Sequence, residues 1–125
     1  MLARRDPYEA YQNVEFDARV RGANSFELVH VCYDRLIHSL STALLAHERG
    51  DAALKSRSLT RAVTALVALQ LGVDSGKAMS APLIAFYNAA RKSILACSVA
   101  FDPDQIAQIR NDFVDVRDVL IPNQV

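Results

Sequence analysis

The chain has 125 residues, 51% of them hydrophobic, with four glycines and four prolines, and Lys plus Arg balances Asp plus Glu at 14 each. A globule of this length buries roughly two-thirds of the surface its unfolded chain exposes, so one domain with a real core is expected without disulfide or metal staples. The composition excludes a disordered tail, and a formal charge of zero leaves no field to draw nucleic acid or anionic lipid.

Arg4 and Arg5 are not followed by an apolar h-region, and no stretch approaches 18 apolar residues, so neither secretion nor membrane insertion is expected. Cys32 and Cys97 stand among apolar neighbours in helix-like segments. They are expected as packed, reduced thiols in a reducing compartment, the cytoplasm.

Asp6 and Pro7 make an N-cap and first-turn pair, which predicts a short helix from about Pro7 to Val14 with Tyr8, Tyr11 and Val14 on one face. Fewer than three turns do not hold alone in water, so this leader needs a surface to lie on. A polar spacer, Glu15 to Asn24, completes an N-terminal cap segment of residues 1–24. Ser25 then caps a long helix to about Arg49, ended by Asp51 or Gly50, whose core stripe is Val29, Cys32, Tyr33, Leu36, Leu40, Ala43 and Leu44. The next helix, about Ala52 to Leu71, is closed by Gly72 and is apolar almost all round from Arg61 onward, which implies more than one buried face.

Val73 to Ser80 reads as a loop, and Ser80-Ala81-Pro82 opens a helix to about Ala100 with Leu83, Phe86, Tyr87, Ala90, Ile94 and Cys97 inward. Asp102-Pro103-Asp104-Gln105 combines an N-cap, an N1 proline and a capping-box glutamine. The helix it opens carries Ile106, Ile109, Phe113, Val116 and Leu120 on one face and stops at Pro122. The expected fold is all-α: an antiparallel up-and-down four-helix bundle over residues 25–121 with the short N-terminal helix packed on it.

Catalytic patterns are weak. Glu27-x-x-His30, with His38 further along, has the spacing of di-metal bundles, but the second and third helices offer no inward carboxylate to complete such a site. His30, His38 and His47 lack the neighbours of a phosphotransfer histidine, and no Gly-x-Ser-x-Gly turn or phosphate loop is present. Neither metal, cofactor nor enzymatic chemistry is expected. Arg4, Arg5, Arg19 and Arg21 read as a solvated arm.

The run Asp6-Pro7-Tyr8-Glu9-Ala10-Tyr11-Gln12, followed by Ser25-Phe26-Glu27-Leu28 and Tyr33-Asp34-Arg35-Leu36, resembles the flagellin-specific export chaperones. Leu59-Thr60-Arg61-Ala62 with Leu66 and Leu69 is similar to that family's second bundle helix, Phe86-Tyr87-Asn88 to its third, and Asp115-Val116-Arg117-Asp118 to its closing D-x-R-D. Val63, Val67 and Ala68 stand where relatives often have polar residues, and Leu120 where they often have Trp.

The resemblance implies a cytoplasmic chaperone that binds the carboxy-terminal amphipathic segment of flagellin and prevents its polymerisation before export, with components of the flagellar export gate as a further partner. On that reading Tyr8 and Tyr11 are a displaceable cover over a groove. Leu66, Val67 and Leu71 line it from the second helix, and Ile106, Ile109 and Phe113 are shared between core and groove. Tyr33 and Tyr87 are structural, with hydroxyls partnered near the bundle surface. From the residues alone two other outcomes stay open: Tyr8 and Tyr11 simply pin the leader, or the surplus apolar face of the second helix is buried in a homodimer.

Overall fold

The computed structural model describes residues 9–13, 25–73 and 80–120. Residues 9–13 are helical (α1), and four long helices follow: α2 Ser25–Glu48, α3 Ala52–Leu71, α4 Ser80–Val99 and α5 Pro103–Leu120. No strand occurs among the described residues. The expected ends of the leader helix, Pro7 and Val14, the spacer, most of the loop after Val73, and Pro122 lie outside them.

The helix ends follow the local chemistry. Gly50 adopts φ 69°, a left-handed conformation that glycine takes without strain, and the chain reverses there from α2 into α3. Asp51 caps α3, its side chain accepting from the Leu54 amide at 3.1 Å. Asp102 caps α5, its Oδ1 accepting from the amides of Asp104 at 3.1 Å and Gln105 at 3.3 Å. The Gln105 side chain does not reach back as in a reciprocal capping box; its Oε1 accepts from the Cys97 thiol at 3.6 Å and ties α5 to α4.

Short connections set the long helices antiparallel, with α2 packed on both α3 and α5, and α4 packed chiefly on α3. The core takes one stripe from each helix: Tyr33, Leu36 and Leu40; Ala62, Ala65 and Leu66; Tyr87 and Ile94; Ile106 and Phe113. Phe113 lies 4.6 Å from Phe86 and 5.6 Å from Tyr33, centroid to centroid, within the range of favourable aromatic contact.

The hydroxyls of Tyr33 and Tyr87 hydrogen-bond to each other at 2.8 Å, and the residues are 0% and 3% exposed. They are structural as expected, but not near the surface: each buried hydroxyl satisfies the other across α2 and α4. Burial pushes both hydroxyls above the usual tyrosine range. Both cysteines are buried and neither is in a disulfide. Arg117 of α5 reaches Asp34 of α2 at 3.5 Å.

Candidate functional site

α3 is the element around which the surface is organised. Its inward stripe of Leu59, Ala62, Ala65, Leu66 and Leu69 is buried, and Thr60, Thr64, Val67, Ala68 and Leu71 form an exposed ridge at three- and four-residue spacing. Between stripe and ridge run two edges, one toward α2 and the other toward α4. α1 lies on the first.

That seat is polar. Glu9 is only 4% exposed, with Oε1 2.8 Å from Arg57 Nε and in contact with the Arg61 guanidinium. Gln12 Nε2 hydrogen-bonds His38 Nε2 at 3.1 Å, and Arg35 donates to the Asn13 side-chain oxygen. Burial alone pushes the Glu9 carboxyl up, but hydrogen bonds from Arg57 and Arg61 and their charges outweigh it and hold the carboxyl below its ordinary value. Burial, followed by the charges of Arg35 and Arg61, holds the His38 imidazole below its own.

The expected tyrosine cover is thus corrected for the residue that can be seen. Tyr11 is 64% exposed, so its ring does not fasten α1; Glu9 does. The reason is helical register, since Glu9, Gln12 and Asn13 share one face and Tyr11 points off it. Tyr8 lies outside the described residues.

On the other edge of α3, Gln70 Nε2 donates to Asn88 Oδ1 of α4 at 2.6 Å and marks a seam. Val67, nearly one turn back from Gln70, and Leu95, two turns on from Asn88, flank that seam at 36% and 50% exposure. Leu71 and Val99, at 83% and 92%, stand at opposite ends. The Val99 end opens into a crevice of about 250 Å³ between Lys55, Ser56 and Leu59 on one side and Cys97 and Ser98 on the other. A second crevice of about 210 Å³ lies between α2 and α3, lined by Leu28, Val29, Cys32, Ala68, Leu69 and Gly72.

The predicted groove residues therefore separate. Val67 and Leu71 are on the surface, whereas Leu66, Ile106 and Phe113 are wholly enclosed and Ile109 is 8% exposed. Leu66 cannot share a groove wall with Val67 because adjacent helical residues point 100° apart, and Leu66 falls in register with Ala62 and Leu69. The three α5 residues occupy its single buried stripe, leaving them in the core rather than shared with a groove. Leu95 and Val99 were missed: α4 reads from sequence as a helix with one inward face. Glu9, Arg57 and Arg61 were missed as well, although two arginines four residues apart on one side of the helix were a usable signal.

His30 pairs with Asp34 at 3.4 Å on the surface of α2, and among the described residues no three His, Cys, Asp or Glu side chains gather as a metal site. No helix among the described residues is long and apolar enough to cross a membrane.

No curated protein matches the sequence. A family model described as flagellar protein FliS matches residues 7–119, from the leader through α5. The match takes in nearly the whole bundle and the seat of α1 together, and the chain belongs to the flagellar protein FliS family, chaperones of flagellum biogenesis.

Proposed function

We propose that this protein is a cytoplasmic export chaperone that holds the carboxy-terminal amphipathic segment of flagellin as helices along the two edges of α3, and so keeps it from polymerising before secretion. The observation that carries the reading is the exposed ridge of α3, where Val67 and Leu71 remain in solvent toward the side of α4 that bears Leu95 and Val99, and Ala68 borders the crevice toward α2. Large apolar side chains left in solvent along one element of a folded bundle are the kind of surface that an interaction site offers.

An amphipathic segment that is disordered when free folds once an apolar groove is supplied. Ordering it costs about 2–5 kcal/mol or more, offset by burial along a wrapped contact. The surfaces that flagellin helices use to join a filament are then the ones the chaperone covers. Val67, Leu71, Leu95 and Val99 are the side chains assigned to contact the client. Leu66, Ile106, Ile109 and Phe113 act beneath them, fixing the spacing of the helices that bear the groove.

α1 lies along the edge of α3 that faces α2, where a client helix would compete with it. Its few described residues bury little apolar surface, so it is the element most easily displaced. Hand-over to the export gate is part of the same reading.

Titration of the full chain with a synthetic flagellin carboxy-terminal segment, followed by calorimetry and light scattering, tests the proposal. A one-to-one complex is expected. A chain that is dimeric alone and takes up no segment would mean that the apolar ridge is covered by a second copy.

A further inference from the structure

We infer that Arg57 and Arg61 form a carboxylate-recognition site for the client, occupied in cis by Glu9 and in trans by an acidic side chain on an amphipathic client helix. The inference rests on the client reading above and adds to it the chemistry that the client must present.

Among the described residues of α1, polar contacts rather than apolar burial meet the bundle. Tyr11 is 64% exposed, while Glu9 is 4% exposed and meets both guanidiniums. Gln12 and Asn13, three and four residues on, reach His38 and Arg35 from the same helical face. α1 is in this sense a built-in ligand, and its pattern is legible: a carboxylate, then amides at the third and fourth following positions. The seat it fills on α2 and α3 is written in arginine and histidine.

Two features make the site exchangeable rather than merely a clamp. Both arginines converge on Oε1 of Glu9, and among the described residues its Oε2 has no hydrogen-bond partner. A carboxylate arriving at another angle and offering both oxygens makes the stronger, forked pairing with guanidinium. Arg61 is also enclosed, its side chain 12% exposed beneath the leader. A client that replaced α1 with apolar side chains alone would cover this charge without a partner, which is strongly unfavourable. Displacement of the leader thus requires that the incoming helix bring an anion of its own. The described residues of α1, 9–13, are fewer than two helical turns, too short to hold a helix by themselves in water.

The test uses the full chain carrying Glu9→Gln, in which the cis ligand is weakened, and a peptide of residues 5–16 as the probe. Binding is read from NMR shifts of the Arg57 and Arg61 Nε–H signals up to millimolar peptide. The peptide with Glu at position 9 is expected to bind about tenfold more tightly than the same peptide with Gln there. Adding Arg61→Met to the chain should erase that difference while circular dichroism shows the helices intact. Equal affinity for the two peptides, or no shift with either, overturns the site.

A second arm uses the flagellin carboxy-terminal segment, with its acidic side chains changed to amides one at a time or with its terminal carboxylate amidated. Loss of about tenfold for one side-chain change, absent in Arg61→Met, is the expected result. Loss only on amidation would assign the site to a chain terminus and overturn the side-chain reading. A segment that binds indifferently to every change leaves the chaperone reading standing and removes the arginine site. A segment that does not bind, beside a leader peptide that does, removes the chaperone reading and leaves the site.

Discussion

Glu9 Oε1 and Arg57 Nε stand 2.8 Å apart and join the leader to the third helix across 48 positions of sequence. The Glu9 carboxyl is held below its ordinary 4.5, and the docked carboxylate contributes in full above pH 4.5; the contribution is lost as pH falls through the lowered value. His38 is held below 6.5, so its neutral form, which accepts from Gln12, contributes above pH 6.5 and is lost as pH falls through its own lowered value. Both act in the same direction. Acidification should therefore release α1, seen in the amide shifts of residues 9–13. Glu9→Gln should remove the Glu9 contribution and leave that of His38; a leader whose signals do not move with pH would contradict the assignment.

Val67 and Leu66 are neighbours in sequence with opposite surroundings, at 36% and 0% exposure. Val67→Asp should weaken binding of the flagellin segment by about tenfold or more while changing stability by less than about 1 kcal/mol. Leu66→Ala should cost about 2–5 kcal/mol in urea unfolding through a buried cavity. If Val67→Asp binds normally, the seam between α3 and α4 is not the client's path.

The Tyr33 and Tyr87 hydroxyls have each other as partner inside the core. Tyr33→Phe should cost about 1–3 kcal/mol because it strands the buried hydroxyl of Tyr87. The double change to Phe should cost clearly less than the two single changes added together. Additive losses in urea unfolding would show that the two hydroxyls do not depend on one another.

Gly50 turns α2 into α3 at φ 69°, with nothing within 4 Å of the place a Cβ would take. The effect of Gly50→Ala is therefore conformational alone, a destabilisation of about 1–2 kcal/mol in urea unfolding. Gly50→Asn should lose less, since Asn tolerates the left-handed region better. An unchanged midpoint for Gly50→Ala would mean that the turn adjusts out of this conformation.

The bundle was legible because each helix is locally marked. Asp51, Asp102 with Pro103, and Gly50 punctuate the chain where the structure begins and ends helices, and the apolar spacing of Tyr33, Leu36 and Leu40 fixes which side faces in. The candidate site was legible only in part. An all-round apolar helix announces a surplus face, but periodicity does not assign Leu66 inward and Val67 outward until a partner helix fixes the register. Tyr11 draws the eye as the large side chain of the leader, yet Glu9 holds it, because a carboxylate can be buried against two guanidiniums brought in from 48 and 52 positions away. Such a pairing is set by tertiary packing and leaves no local period. Leu95 and Val99 escaped for the same reason, since their exposure is decided by where α3 stops covering α4.

The claim on which the rest depends is that α3 keeps apolar surface in reserve for a foreign helix. Calorimetric titration of the full chain with the flagellin carboxy-terminal segment measures this directly. Saturable one-to-one binding, weakened by Val67→Asp and by Leu71→Asp with the melting curve unmoved, is the predicted result. A chain that releases no heat with the segment, and that light scattering shows as a dimer until Leu71→Asp makes it monomeric, would contradict the account.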